Sequence, residues 1–480
     1  MQPTSPRPSF AGIVNRGSFP GALLLAAYFL ATSIYISYHR LFWFDEVFTT
    51  LTTRMPDWHT IWRALVEENA DPSPFGFFVI ARIFDKIFGP GEIGIRLPSA
   101  LAMTAGMLIT YDCVRRVADS LHGLIAMAAV SCSFVTYYGY EGRCYALLFL
   151  FASAVCWAWI GNRSALLLFA LFFGGVLIHY YLVLCLVPLV MDEAWRWRPW
   201  KRPSGRIVAS ILGSLVGIAV LSPQILASRH VHGGKWWTLI NTRQIPIVLT
   251  DIFPAGLFLL AMATVWIVWA VPRKPIMVAP VSTAERVGWS FLLTLVAGYI
   301  GARLVTHAFL NRYFIGMIPG VAIAFSCSLW RRFPGITRIP VGILVLLAGY
   351  GMANQAAYVM QVEEIPAFGP AQARTRAILK MEDQLSSQGK SFIVFDDGDL
   401  RFLEARYYSK HPERYLVWRD EMPPPARYYP MQVWTVDEIK RHSREAAFLD
   451  LPAKRLELLQ RSGFRTILSR HDPLMVTFLD

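Results

Sequence analysis

Apolar residues run along this chain in long stretches with little alternation, and the charged residues gather in the short gaps between them. About 20 apolar residues in a helix cross the hydrocarbon core of a bilayer. The pattern therefore predicts membrane spans at about 20–38, 97–117, 122–138, 143–160, 164–179, 181–195, 207–226, 255–271, 287–305, 313–330 and 338–354, about eleven in all. With the N-terminus in the cytoplasm, the inner connections carry Arg115-Arg116, Arg163, the run Trp195–Arg202, Arg273-Lys274 and Arg331-Arg332. Each is basic, as the orientation rule for membrane helices requires. The first run, Gly21 to Ile36, follows Arg7 and Arg16 without a small-residue cleavage site and reads as a retained anchor.

Two stretches between the first and second spans are apolar without being long enough to cross. Pro74–Phe88 carries Arg82, Asp85 and Lys86, and Trp58–Leu65 precedes it, so both are expected to lie in the interface as amphipathic helices of the first outer loop. After the last span charges become frequent and apolar runs shrink to four or five residues. Strands are expected at Ser391–Phe395, Tyr415–Trp418, Arg465–Leu468 and Leu474–Phe478, with helices at Leu400–Tyr408 and Val436–Leu449. The expected organisation is a transmembrane domain, 1–355, followed by a small extracytoplasmic α/β domain, 356–480.

Composition agrees with this class. Of 480 residues 55% are hydrophobic, 14% aromatic and only 16% charged, a balance foreign to soluble globular domains. The net charge of +13 is a topology signal concentrated in the connections, and nucleic acid is not an expected partner. Cys113, Cys132, Cys144, Cys156, Cys185 and Cys327 lie in or beside apolar runs without metal-ligand spacing and read as small buried hydrophobes.

Threading the spans decides which polar residues share a face. Asp45, Glu46, Asp71, Arg96, Glu141, Arg143, His179, Tyr180, Lys235, Arg312 and Tyr313 all fall on the outer side. Arg96, Arg143 and Arg312 each stand at or just before the outer end of an inward-running helix, where the positive helix terminus disfavours a cation. An anion such as a phosphate would compensate, since helix N-termini and guanidinium forks both bind its oxygens; headgroup snorkelling or local pairing, for example Arg143 with Glu141, is the alternative. Adjacent residues on a helix diverge by about 100 degrees, so Asp45 and Glu46 take different roles. Asp45 is the candidate general base and Glu46 a positioning or ion-binding group, with simple helix capping the competing reading. Asp71-Pro72-Ser73-Pro74 is a rigid turn. His179 and Tyr180 form a polar cluster between apolar runs, and Lys235 sits in a long outer loop beside Trp236 and Trp237.

The pieces Phe44-Asp45-Glu46, Asp71-Pro72-Ser73-Pro74-Phe75, Arg96-Leu97-Pro98-Ser99, Tyr140-Glu141-Gly142-Arg143-Cys144-Tyr145 and Arg312-Tyr313 occur in this order. Over roughly residues 20–355 the chain resembles the GT-C superfamily of membrane glycosyltransferases, in particular the branch of protein O-mannosyltransferases and lipid A aminoarabinose transferases. Relatives commonly have His where this chain has Asp71, and Ser73 interrupts their proline pair. The resemblance implies an α-helical polytopic membrane protein of GT-C type, a polyprenyl-phosphate-linked sugar donor, a protein, lipid or polysaccharide acceptor reached from the extracytoplasmic side, and a first-loop aspartate near the reacting centre. It places Tyr145 among the substrate-binding residues and suits a bacterial inner membrane. A divalent cation stays an open alternative. A polytopic transporter or lipid flippase is the rival reading, although such proteins often show paired repeats or broken helices with ionisable groups near the midplane.

Overall fold

The computed structural model describes residues 10–196, 202–232, 240–254, 280–334, 336–362, 369–397, 401–419, 433–471 and 474–479. Two compact units result, one of Met1–Tyr38 with Leu65–Met360 and the other of His39–Ala64 with Gln361–Asp480.

Helices follow the apolar runs: α1 Phe10–His39, α2 Phe44–Thr53, α3 Trp58–Glu67, α4 Phe75–Phe88, α5 Glu92–Val117, α6 Ser120–Ser131, α7 Val135–Tyr138, α8 Tyr145–Ile160, α9 Ala165–Ile178 and α10 Leu186–Trp195. Then come α11 Gly205–His232, α12 Gln244–Ile252, α13 Thr283–Ser290, α14 Leu293–Gly301, α15 Ile318–Arg332 and α16 Arg338–Met360. Among the described residues six helices are long and apolar enough to cross a membrane, and α6, α8 and α9 are shorter apolar ones. The expected span at 255–271 lies outside the described residues. The chain is an integral membrane protein.

The first loop holds three helices, α2, α3 and α4, where the hydrophobic pattern suggested two. The added one, α2, is threonine-rich and poor in helix propensity. Its hydroxyls turn back on the preceding turn, Thr49 Oγ1 donating to Asp45 O at 3.1 Å, Thr50 Oγ1 to Glu46 O at 2.8 Å and Thr52 Oγ1 to Phe48 O at 2.8 Å.

Close helix packing in the larger unit relies on small residues, as expected where lipid removes the hydrophobic drive between helices. A Cβ at Gly213 of α11 would sit 2.4 Å from the Phe169 carbonyl oxygen of α9, and one at Gly106 of α5 would sit 2.5 Å from the Phe149 ring of α8. One end of this unit is tied together by carboxylates. Trp157 Nε1 of α8 donates to Asp112 of α5 at 2.9 Å, and Trp159 Nε1 donates to Asp192 of α10 at 2.9 Å. Asp192 also accepts from Arg286 of α13 at 3.2 Å, and Glu285 beside it accepts from Arg331 Nε of α15 at 2.9 Å. Arg115, Arg116, Arg196 and Arg331, from three of the basic connections read from the sequence, all enter this network.

The smaller unit contains α17 Gly369–Ser387, α18 Arg401–Tyr408, α19 Val436–His442 and α20 Ala453–Arg461 around β1 Phe392–Asp396, β2 Tyr415–Trp418, β3 Val433–Trp434, β4 Ala446–Leu449, β5 Thr466–His471 and β6 Leu474–Leu479. The six-stranded sheet has the order β3-β2-β1-β4-β6-β5. β3, β2, β1 and β4 run parallel, while β6 is antiparallel to both β4 and β5. One face buries Val394, Leu416, Trp418 and Phe448 together with Ile439 and Leu459 from helices. The expected helix Val436–Leu449 is corrected here: it stops at His442, and Ala446–Leu449 is a central strand buried on both faces. A short continuous apolar run reads equally as buried helix or buried strand, and the parallel sheet decides in favour of the strand.

Residues 39–64 join this unit through named bonds. Phe42 N donates to Tyr408 Oη at 2.7 Å, Phe44 N to Glu404 Oε1 at 3.1 Å, Arg54 Nη1 to Tyr407 Oη at 2.7 Å, and Gln372 Nε2 to Leu41 O at 3.1 Å.

Candidate active site

The turn Asp71-Pro72-Ser73-Pro74 is organised by what its prolines lack. Neither Pro72 nor Pro74 has an N–H, and each pushes the residue before it into an extended conformation. The remaining donors are both satisfied by side chains: Ser73 N donates to Asp71 Oδ1 at 2.7 Å and Phe75 N donates to Gln224 Oε1 at 3.1 Å. Gln224, fully buried in α11, returns a bond from Nε2 to Ser73 O at 2.6 Å. Its amide thus pairs with the backbone on either side of Pro74 as a neighbouring strand would.

The second oxygen of the Asp71 carboxylate accepts from Arg143 Nη1 at 2.5 Å, and the side chains are 1% and 4% exposed. Arg143 stands in the tight turn before α8, its N–H donating to Glu141 O at 2.8 Å and its carbonyl accepting from Ser99 Oγ of α5 at 3.1 Å. The guanidinium thus bonds a carboxylate 72 positions away in the sequence. The sulfur of Cys144 reaches Ser73 Oγ at 3.9 Å.

Beside this pair lies an aromatic cluster. The Arg312 guanidinium carbon is 5.5 Å from the Tyr145 ring centre and 5.9 Å from that of Tyr313, within cation–π range. His179 packs 5.4 Å from Tyr145 and 5.9 Å from Tyr313, and Tyr181 stacks on Tyr313 at 4.4 Å. The Nδ1 of His179 accepts from the Tyr181 N–H at 3.2 Å, which leaves the proton of the neutral imidazole on Nε2. Tyr181 Oη donates to Ala308 O at 3.0 Å, fixing the segment that follows a π-helical turn at Ala302–Thr306. Tyr180 places a buried hydroxyl among Cys144 and Asp71 as its electrostatic neighbours.

Asp71, Arg143, Tyr145, His179, Tyr180, Arg312 and Tyr313 therefore converge on one end of the larger unit, opposite the carboxylate network that joins its basic connections. Glu141 is buried at the same turn. Arg96 differs from expectation in position: α5 begins at Glu92, so Arg96 lies a turn inside the helix, fully buried, with Nη1 donating to Ser37 O of α1 at 2.9 Å. Lys235 lies outside the described residues.

Asp45 and Glu46 occupy the first turn of α2, in the smaller unit. Glu46 is buried and its Oε2 accepts from Trp43 N at 3.3 Å, closing the start of the helix, while Asp45 is half-buried. The two side chains differ in burial, as the angle between adjacent helical residues dictates. Among the described residues no group of three His, Cys, Asp or Glu side chains is arranged to hold a metal ion.

Gln224 and Tyr138, whose ring lies 4.8 Å from that of Tyr145, are partners that the sequence reading did not single out. A glutamine inside an apolar helix is costly unless paired, and that signal was available for Gln224.

The chain, with its apolar helical unit and its unit built on a six-stranded sheet, has a GT-C fold. The family described as Dolichyl-phosphate-mannose-protein mannosyltransferase matches residues 72–226, a stretch that takes in Ser73, Arg96, Glu141, Arg143, Tyr145, His179, Tyr180 and Gln224. Among solved structures the chain is similar to ArnT from Cupriavidus metallidurans in the apo state, with a TM-score of 0.61 and 13% identity over 96% of this chain and 98% of that one. The same protein bound to undecaprenyl phosphate gives a TM-score of 0.57 at 13% identity, again over 96% and 98% of the two chains. By sequence, no protein of curated function matches.

Proposed function

We propose that this protein is a membrane glycosyltransferase that moves a sugar from a polyprenyl-phosphate donor to an acceptor hydroxyl at the outer face of a bacterial inner membrane. The observation that carries the reading is the buried Asp71–Arg143 pair beside Arg312 and its tyrosines, within and next to the stretch that matches a mannosyltransferase family. The solved structure of similar fold with undecaprenyl phosphate bound supports a donor of that class.

The reaction is a single displacement. The acceptor O–H passes its proton to Asp45 while the oxygen bonds to the anomeric carbon, and the bond from that carbon to the phosphate oxygen breaks with its electron pair leaving on the lipid phosphate. Inversion at the anomeric carbon follows from one displacement. Arg143 and Arg312, with Arg96 and Lys235, stabilise the departing phosphate, the electrostatic contribution that usually dominates such steps. Tyr145, His179, Tyr180 and Tyr313 present ring faces and polar tips to the sugar. Glu141 and Asp71 hold the arginines, and Glu46 holds the turn beneath Asp45.

The test is transfer of radiolabelled sugar from polyprenyl-phosphate donors to membrane acceptors by purified protein. Wild-type protein is expected to turn over and Asp45→Asn to lose activity by at least about a hundredfold. Near-normal turnover by a well-folded Asp45→Asn variant would remove Asp45 as the base, and absence of transfer from every polyprenyl-phosphate sugar would remove the reaction class.

A further inference from the structure

The first-loop helix that carries Asp45 and the C-terminal α/β unit are more than 300 residues apart in sequence, yet they form one compact unit. The contact has a defined chemistry. Glu404 of α18 is only 2% exposed, and its carboxylate is shared between two donors: Oε1 accepts from the N–H of Phe44 at 3.1 Å and Oε2 accepts from Thr375 Oγ1 of α17 at 2.7 Å. Phe44 is the first residue of α2, so Glu404 supplies from outside the helix an acceptor for one of the N–H groups that a helix start leaves without an intrahelical partner. The residue at the cap position is Trp43, whose side chain makes no capping bond. A carboxylate at this terminus also faces the positive end of the helix dipole.

Two further bonds keep the segment from rotating. Tyr408 Oη, one turn along α18, accepts from Phe42 N at 2.7 Å, and Tyr407 Oη accepts from Arg54 Nη1 at the far end of α2 at 2.7 Å. The Phe42 ring packs against Tyr407 at 5.9 Å. The N–H groups of Phe42 and Phe44 flank Trp43, the cap residue, and are both held by α18.

We infer that the C-terminal unit serves the reaction by fixing the first-loop carboxylate, and that Glu404 is the positioning residue for Asp45. The inference rests on the reading of Asp45 as the base. Glu404 touches no reacting atom; it sets the direction in which the first turn of α2 projects its side chains. A displacement of about 1 Å at a reacting group costs up to about a hundredfold in rate, which makes an external anchor of this turn consequential.

The experiment compares Glu404→Ala and Glu404→Gln in the full-length protein. A glutamine keeps an oxygen for Phe44 N–H and offers its amide N–H to Thr375 Oγ1, so Glu404→Gln is expected to recover most of the kcat that Glu404→Ala loses, a loss of on the order of tenfold or more with donor KM changed less than threefold. In the Asp45→Asn background Glu404→Ala is expected to cause no additional loss. A second readout does not depend on catalysis: amide hydrogen exchange across Phe44–Thr53 is expected to rise in Glu404→Ala and to stay at the wild-type level in Asp45→Asn. Unchanged exchange in Glu404→Ala overturns the anchor. Raised exchange with kcat unchanged overturns the positioning role while leaving the anchor, and an inactive Glu404→Ala beside a fully active Asp45→Asn overturns the base reading rather than the anchor.

Discussion

Deleting Asp71 tests the centre of the candidate site quantitatively. Its two carboxylate oxygens are both committed, one to Arg143 Nη1 at 2.5 Å and one to Ser73 N at 2.7 Å, in a location where neither charged side chain is more than 4% exposed. Asp71→Leu leaves the guanidinium without its bonded carboxylate, and removing one partner of a buried pair typically costs about 3–5 kcal/mol. The orphaned Ser73 N–H adds about 1–3 kcal/mol. Arg143→Met, which strands the carboxylate, falls in the same range of about 3–5 kcal/mol. Removing both charges at once eliminates the unpaired ion, so the double variant is expected to be less unstable than the sum of the singles by at least about 2 kcal/mol. Equilibrium unfolding in mixed micelles of rising SDS content, followed by tryptophan fluorescence, measures all four proteins. Single variants costing under about 1 kcal/mol, or strictly additive losses, would show that the pair is not the tight buried contact described.

Three other perturbations follow from the packing. Gln224→Leu strands Ser73 O and Phe75 N together and is expected to cost about 2–5 kcal/mol in the same unfolding assay; a cost below about 0.5 kcal/mol contradicts the amide splint. At Gly213 even a Cβ would collide with the Phe169 carbonyl oxygen, so monodisperse protein after size-exclusion chromatography should fall severalfold relative to wild type in Gly213→Ala and further in Gly213→Leu; wild-type recovery of either variant contradicts the close contact. Asp57 caps α3 by accepting from Thr60 N at 2.7 Å and Thr60 Oγ1 at 2.9 Å, and these bonds hold its carboxyl below the ordinary carboxylate range. A depressed folded pKa means that the cap contributes above the unfolded value and is lost as pH falls through the folded one. The protection factors of the α3 amides, taken relative to the intrinsic exchange rate at each pH, should therefore fall on acidification below the usual carboxylate range in the wild type, and Asp57→Asn should remove that change in protection.

Much of the architecture is legible without coordinates because lipid demands long apolar helices and admits few alternatives. The helices α5, α8, α9, α11 and α16 lie within a few residues of where uninterrupted hydrophobicity places them. The clustering of Arg143, His179 and Arg312 is also foreseeable, since alternate threading puts the ends of their helices on one side. The Asp71–Arg143 contact is harder to see, because it depends on how a proline-fixed turn meets a residue 72 positions away. Asp112, Asp192 and Glu285 look like ordinary acids beside basic connections, and their role in tying five helices appears only in three dimensions. The strand Ala446–Leu449 lacks alternation because both its faces are covered. The attachment of residues 39–64 to the C-terminal unit depends on single backbone N–H groups meeting side chains some 360 positions later, a contact with no periodic trace in the sequence.

Native mass spectrometry of the protein released from its own membrane bears most directly on the central claim. Wild-type protein is expected to carry a polyprenyl-phosphate sugar, and the folded, monodisperse fractions of Arg143→Ala and Arg312→Ala to arrive without it. Bulk phospholipid alone on the wild type, or the same sugar lipid retained at equal occupancy by both arginine variants, would contradict the claim that this cluster receives the donor phosphate.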